Sequence, residues 1–246
     1  MINGTLAEDI VVTIDSWANR PASATDGDWF QVTGKAVYRY SSIVNEWVRP
    51  NLYEGTLVLD GAFDGTVDPD TVGWTHSLTG ASATVASDGT HVVVTTTSNA
   101  HNASVTLTHG QSGKNHFVQG YMQVVSRDSG TNTNACMVFI YDSDYGNWLS
   151  LQASGTGANA YARLTDGSNK AGFDVSLATE KWVEMFTNIA EDRVTVYIDH
   201  SLAPILQWKR SAMYNGDTTS EIYILGDGTG QGYSVTKYRN VSVGRY

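Results

Sequence analysis

The stretch Lys181-Trp182-Val183-Glu184-Met185-Phe186-Thr187-Asn188-Ile189-Ala190-Glu191-Asp192-Arg193-Val194-Thr195-Val196-Tyr197-Ile198-Asp199 decides the fold. In its second half Val194, Val196 and Ile198 alternate with Arg193, Thr195, Tyr197 and Asp199. Alternation of period two marks a strand with one dry and one wet face. In its first half Val183, Met185, Thr187 and Ile189 share one face, and Trp182, Glu184 and Phe186 share the other. Residues 190–193 are polar enough to reverse the chain, so the spacing predicts a hairpin.

The same pattern extends outward. Strands are predicted at 56–59, 83–86, 91–97, 104–108, 117–126, 135–141, 148–154, 159–165, 183–189, 194–199, 205–208, 221–225 and 233–243. Asp-Gly dipeptides begin at Asp26, Asp60, Asp64, Asp88, Asp166 and Asp227, and Asn-Gly at Asn3 and Asn215. These pairs favour the positive-φ positions of hairpin turns. No long segment repeats at 3.6 residues, although 211–219 has room for one helical turn. Closely spaced strands without intervening helices predict an all-β sandwich.

The hairpin also resembles a known group. A Trp opening a strand, an acidic turn and then Val194-Thr195-Val196-Tyr197-Ile198-Asp199 is similar to the back-sheet hairpin of concanavalin A-like sandwiches, the legume-lectin, laminin G and pentraxin group. Tyr238-Arg239-Asn240-Val241-Ser242-Val243-Gly244 is similar to their last strand. Phe63-Asp64-Gly65-Thr66 with Trp74 is similar to the strand that leads into the sandwich. The resemblance covers residues 57–246 and implies a jelly-roll β-sandwich over 56–246.

Ahead of it lie two smaller parts. Residues 1–20 form an arm with one short strand, Ile10-Val11-Val12-Thr13-Ile14, and no evident core of their own. Residues 21–55 read as a three-stranded meander, with strands at 28–33, 36–40 and 45–49. A sheet this small does not bury its own aromatics. Trp29, Phe30, Tyr38, Tyr40 and Trp47 are therefore expected to anchor it or to form an oligomer contact. Asp26-Gly27-Asp28-Trp29, Val37-Tyr38-Arg39-Tyr40 and Trp47-Val48 resemble short repeats near the N-termini of phage tail-fibre and other virion-appendage proteins, and small chitin-binding modules. A mini-core of the meander would use the same residues.

Composition narrows the function. The 246 residues carry 15 Lys and Arg against 25 Asp and Glu, a net charge of -10. A nucleic-acid partner is not expected, because phosphate recognition requires a basic surface. Cys136 is the single cysteine, so no internal disulfide forms, and its apolar neighbours mark it as a small buried hydrophobe. The N-terminus has neither a basic start nor an apolar stretch of a secretory signal, and no run reaches the length of a membrane span. Synthesis in a host cytoplasm and display by assembly into a particle are expected.

Catalytic signatures are sparse. Glycanases on this fold place paired carboxylates along one strand. Here Asp68/Asp70 and Asp142/Asp144 fall in loops, Glu180/Glu184 straddle a strand start around Trp182, and no Glu-x-Asp-x-x-Glu pattern occurs. His76, His91, His101, His109, His116 and His200 have no triad-like or HExxH context and read as surface-loop histidines. Asp142, Asp144 and Asn147 surround Gly146 in the manner of a calcium loop, but the twelve-residue pattern with a closing Glu is missing, and a plain turn uses the same residues. No cofactor and no metal are expected.

Carbohydrate binding has the better local case. Residues 155–158 are predicted to join two strands so that Gln152 faces Tyr161, Ser150 faces Arg163 and Trp148 faces Thr165. Trp148, Gln152, Tyr161 and Arg163, with Tyr145 at the adjoining tip, then supply aromatic, amide and guanidinium groups on the outer face. Sugars need this mixture of a stacking surface and fixed polar groups. An ordinary wet sheet face or a subunit interface would look the same. The expectation is a non-enzymatic phage virion protein, a head-decoration, fibre or tail-appendage subunit. It would be a homo-oligomer, a trimer by preference, attached to other virion proteins through its N-terminal region and exposed on the virion surface. A carbohydrate-binding adhesin for a host surface glycan is the alternative, and a glycan hydrolase the third.

Overall fold

The computed structural model describes residues 12–43, 45–50, 57–80, 83–96, 102–109, 115–127, 135–142, 148–154, 161–165, 170–188, 191, 193–209, 221–225 and 234–246. Between 135 and 174 it describes the backbone and its register alone. Secondary structure is almost entirely strand, in three sheets.

The first sheet contains β1 (Val12–Ile14), β2 (Trp29–Val32), β3 (Val37–Ser41) and β4 (Glu46–Val48), in that order. The predicted meander is present, but β1 joins it by pairing in parallel with β2, Val12 opposite Phe30. The sheet thus has four strands, because the arm contributes one.

The next strands in the chain are β5 (Val58–Phe63), β6 (Thr75–Thr79), β7 (Thr84–Ser87), β8 (Val92–Thr96), β9 (Asn102–His109) and β10 (His116–Arg127). They are followed by β11 (Ala135–Asp142), β12 (Trp148–Ser154), β13 (Tyr161–Thr165) and β14 (Lys170–Ser176). The last are β15 (Lys181–Asn188), β16 (Arg193–Ile198), β17 (Leu206–Lys209), β18 (Glu221–Leu225) and β19 (Ser234–Arg245). One sandwich sheet runs β17-β16-β15-β10-β19-β8-β7, with β5 also paired to β19. The other runs β14-β13-β12-β11-β18-β9-β6. All pairings within the two sheets are antiparallel.

The predicted hairpin is β15–β16, with Asn188 opposite Arg193 and Glu184 opposite Tyr197. Its inner face, Val183, Met185, Val194, Val196 and Ile198, joins Val118, Met122, Tyr238, Val241 and Val243 in the main core. Phe63 meets Trp74 edge-on at 5.4 Å at one end of that core.

Several expectations need correction. β6 and β14 were not predicted; both are outermost strands of their sheet, where only one neighbour and weak alternation mark a strand. Asp60-Gly61 lies inside β5 and is not a turn. Asp60 takes the guanidinium of Arg245 from β19 at 2.6–2.9 Å. Gly61 is there for space: a Cβ would stand 2.6 Å from Leu107 Cδ2 and 3.1 Å from Trp74 Nε1. Asp26-Gly27, Asp64-Gly65 and Asp88-Gly89 do supply positive φ, at 97°, 100° and 88°. The stretch 211–219 lies outside the described residues.

The largest correction concerns the outer face of β15. Trp182, Glu184 and Phe186 are buried too, at 1%, 0% and 3% exposure. The N-terminal sheet lies over them. Trp17, Phe30, Tyr38 and Trp47 form one cluster with Trp182, while Val48 and Leu57 pack with Phe117 and Phe186. Phe30, Tyr38 and Trp47 are therefore internal to this chain rather than available for subunit contact. Trp29 and Tyr40 remain half-buried, the first under the Arg39 guanidinium at 5.7 Å, the second against Trp47 at 5.3 Å.

Two glycines on β5 and β19 test this packing. Gly61→Ala should destabilise the chain by about 1–3 kcal/mol, the usual cost of overpacking a tight contact. Gly244→Ala should cost more, because its Cβ would meet the backbone carbonyl of Val58 as well as the Phe117 ring. Urea denaturation of both variants checks the order.

Candidate functional site

The expected carbohydrate face is on β12 and β13. Both strands are present, and Gln152 lies opposite Arg163, Ser154 opposite Tyr161 and Ser150 opposite Thr165. The register is therefore two residues away from the predicted one. A shift of two keeps each residue on its face. β13 begins at Tyr161 rather than at residue 159, so six residues rather than four separate the two strands, which accounts for the slip. Trp148 and Arg163 thus sit on adjacent strands, and Tyr145 lies outside the described residues. So do Asp144 and Asn147, while Asp142 ends β11.

Glu184, Glu180 and Asp68, three of the carboxylates considered for catalysis, have other partners. Glu184 is sealed beneath the N-terminal sheet. Arg49 Nε and Nη2 donate to Glu184 Oε2 at 2.9 and 2.7 Å, and Tyr38 Oη donates to the same oxygen at 3.0 Å. Tyr38 Oη also lies 2.9 Å from His200 Nδ1. Its one proton goes to the carboxylate, so it accepts from Nδ1–H, which fixes the imidazole tautomer. Burial pushes the Glu184 carboxyl up; the Arg49 charge, the bonds from Arg49 and Tyr38 and the Trp182 indole pull against it. Glu180 stands at the rim, where Arg239 Nε donates to Oε1 at 2.8 Å and His91 Nε2 approaches Oε1 at 2.9 Å. Burial raises that carboxyl, but the bonds from Arg239 and His91 outweigh it and hold it below its ordinary value. Asp68 accepts the Ser87 N–H at 2.6 Å and stands at the N-cap of a short 3-10 helix, Pro69–Val72, that contains Asp70, so the pair borders and enters a helical turn rather than a plain loop. Among the described residues no group of three His, Cys, Asp or Glu side chains is placed to hold a metal ion.

His200 is not a surface histidine, and neither is His116, which is fully buried. His200 follows β16 with φ of 59° and stacks on Trp17 at 3.9 Å and Trp182 at 5.1 Å. Burial first, and then the charges of Arg49, Lys35 and Arg20, push its pKa down to about 3.

A separate recess of about 370 Å³ opens on the outer face of the β15–β16–β17 corner. It is lined by Asn115, Phe186, Thr187, Asn188, Glu191, Arg193, Thr195, Tyr197, Gln207 and Tyr246. Alternation along β15, β16 and β17 turns Phe186, Asn188, Arg193, Thr195, Tyr197 and Gln207 the same way, and register brings Thr195 opposite both Phe186 and Gln207. Phe186 meets Tyr197 edge-on at 6.0 Å. Tyr246 is tied down by Oη donating to the Thr187 carbonyl at 2.8 Å and by its N–H donating to the Asn115 carbonyl at 3.0 Å. Burial pushes its phenol up to about 12. Arg193 pairs with Glu191 at 2.5 Å, and the Glu191 N–H donates to Asn188 Oδ1 at 3.0 Å. The recess thus presents aromatic walls with amides, a hydroxyl and a neutralised ion pair. Sequence reading placed Arg193, Thr195 and Tyr197 on the wet side of their strand but had no signal for Asn115 or Tyr246, which only the sheet order brings there.

No known protein family and no curated protein matches the sequence. Among solved structures the fold is similar to that of a sialidase, at 12% identity and a TM-score of 0.54, over 84% of this chain and 20% of that one. The chain therefore spans about a fifth of that protein's length. It is also similar to an immunostimulatory antigen and pseudo beta-1,3-glucanase of Mycobacterium tuberculosis, at 13% identity and a TM-score of 0.52, over 78% of this chain and 100% of that one. A carbohydrate esterase of a Shiga toxin-encoding bacteriophage matches at 13% identity and a TM-score of 0.49, over 77% and 99%. At these identities the likeness is one of fold: the sandwich is a lectin-like jelly roll.

The buried imidazole makes the seating of the N-terminal sheet sensitive to acid. The folded pKa of about 3 lies below the ordinary value of 6.5. Its contribution is full above pH 6.5 and is lost as pH falls from there toward 3. Glu184, raised by burial, works in the opposite sense, and Tyr38, raised well above its ordinary value by burial, stays neutral across this range. Hydrogen exchange of residues 29–48 should therefore quicken as pH falls below 6.5, after correction for intrinsic rates, and His200→Gln should flatten the profile.

Proposed function

We propose that this protein is a non-catalytic carbohydrate-binding subunit carried on the surface of a phage particle. The observation that carries the binding part is the recess on β15–β17. Its aromatic walls offer apolar area to a pyranose face, and Asn188, Thr195 and Gln207 offer donors and acceptors to hydroxyls. A volume of about 370 Å³ lies within the usual range of small-ligand sites. The strand pair β12–β13, which carries Trp148, Gln152, Tyr161 and Arg163, is the second candidate surface for the same ligand class. The absence of catalysis is supported by Glu184, which is committed to a buried ion pair, and Glu180, committed to a surface one. Neither stands across a cleft from the other as glycoside hydrolysis requires.

The particle part rests on the resemblance of residues 26–48 to virion-appendage repeats. Self-association, in trimers, and attachment to other virion proteins belong to the same proposal. Its N-terminal route is narrowed by the burial of Phe30, Tyr38 and Trp47, which leaves Trp29, Tyr40 and the strand edges of the first sheet as the contact surface.

A glycan array with the wild type and two sets of variants tests the binding. Thr195→Ala with Gln207→Ala should weaken binding about tenfold, as expected for two lost hydrogen bonds of roughly 0.5–1.5 kcal/mol each. Thermal stability should hold, because both side chains are outside the core. Trp148→Ala should matter only if the glycan lies on β12–β13, where a lost stacking platform is worth roughly 1–3 kcal/mol. A wild-type chain that captures no glycan overturns the proposal. Light scattering and an image of the parent particle carrying the labelled subunit test the rest.

A further inference from the structure

The aromatic walls of the recess do not stand alone. Phe186 packs with Phe117, Val48 and Leu57, with Tyr197 and Tyr246 against the same cluster. Val48 belongs to the N-terminal sheet, and the next residue, Arg49, reaches furthest. Its guanidinium lies 3.7 Å from the Tyr197 ring centroid. The same group gives Nε and Nη2 to Glu184 Oε2 at 2.9 and 2.7 Å, and Nη2 to the Ser201 carbonyl at 2.9 Å. Its plane is therefore fixed by hydrogen bonds before any ligand arrives. Glu184 and Tyr197 are directly opposite each other in the β15–β16 register, so a fork that holds one side chain is positioned against the other.

From this geometry we infer that Arg49 is a positioning residue of the recess, and that the seating of the N-terminal sheet sets the affinity of the recess for sugar. The inference rests on the reading of the recess as a glycan site. Arg49 touches no lining group other than Tyr197 among the contacts described, so it acts by presenting that ring. A cation against the face of a tyrosine holds the ring electrostatically as well as by contact. Removing the planar support leaves Tyr197 to be ordered by the ligand, and ordering a side chain on binding weakens affinity. The coupling is reciprocal: a sugar that prefers the ordered ring stabilises the seated sheet by the same factor. A region resembling an anchor is thereby joined to the binding surface through one side chain.

Arg49→Met alone would leave Glu184 buried without its cation, which is strongly destabilising. The informative variant is Arg49→Met with Glu184→Gln, which removes the charge pair together. Arg49→Lys is the conservative partner, keeping the charge but not the flat fork. The full chain carries 3-fluorotyrosine for fluorine NMR, with Tyr197 assigned by Tyr197→Phe. A β-1,4-linked N-acetylglucosamine tetramer serves as probe by calorimetry. In the double variant the Tyr197 resonance should move, and affinity for the probe should fall about tenfold while the sandwich stays folded. Arg49→Lys should recover part of both. Hydrogen exchange within residues 29–48 should slow when the probe is added to the wild type. A Tyr197 resonance and an affinity both unchanged in the double variant overturn the positioning role alone. A wild type that does not bind the probe, with Tyr197 displaced in the double variant, leaves the ring-positioning in place and overturns the link to this sugar.

Discussion

The seating of the N-terminal sheet on β15 is the constraint on which the rest of the structure depends. It has two components of different character. The aromatic component, Trp17, Phe30, Tyr38 and Trp47 against Trp182, supplies apolar burial that favours contact without fixing one pose. Its edge-to-face pairs, such as Phe30–Trp47 at 4.5 Å and Trp17–Tyr38 at 4.8 Å, each add about 0.5–1.5 kcal/mol beyond that burial. The polar component is directional. Glu184 accepts from Arg49 and Tyr38, and Tyr38 in turn accepts from His200. A buried ion pair of this kind contributes little net stability, since desolvation offsets the attraction. What it does is select: any other placement of the sheet strands a carboxylate in an apolar seam.

That constraint assigns the faces of the sandwich. The sheet containing β15 gives its inner side to the main core and a large part of its outer side to the N-terminal sheet. On β15 the outer residues run Trp182, Glu184, Phe186, Asn188 along the strand. The first two lie under the cover and the last borders the recess. On β10 the partners of these residues, Tyr121, Gln119 and Phe117, are covered as well: Tyr121 packs edge-on against Trp182, Gln119 Nε2 donates to the Trp47 carbonyl at 3.4 Å, and Phe117 packs with Val48 and Leu57. The binding surface proposed on β15–β17 is thus the remainder of a face that is otherwise used for packing. The β12–β13 face belongs to the opposite sheet and is independent of this cover.

Much of the sandwich was legible because its physics is local. Alternation in 193–198 specified β16 to within one residue, and 148–154 and 221–225 match β12 and β18 at both ends. The misses have local causes as well. β6, Thr-His-Ser-Leu-Thr, is a polar outer strand with Ser77 and Leu78 exposed, so no apolar face announces it. Asp60-Gly61 carries turn chemistry, yet the aspartate is there for Arg245 and the glycine for Leu107 and Trp74, partners outside any local window. The core of the arm and the meander has no local signature, because Trp17 and Trp182 are 165 residues of chain apart, a separation that no window of sequence spans.

The candidate site divides in the same way. Its strand residues were readable, since Arg193, Thr195 and Tyr197 fall on the non-core side of a clean alternation. Its closure was not, because Asn115 and Tyr246 flank β10 and β19, and only sheet order sets β10 beside the hairpin and β19 beside β10. Arg49 is the extreme case. In sequence it is one cation between a short strand and a proline, with no periodicity to mark it. In the fold it stands at the border between the covered and open parts of one sheet face, bonded to Glu184 on the covered side and stacked on Tyr197 on the open side. A residue at such a border cannot serve one side without affecting the other. The cover that lets a small N-terminal sheet bury its aromatics and the wall that shapes the recess therefore share this one side chain.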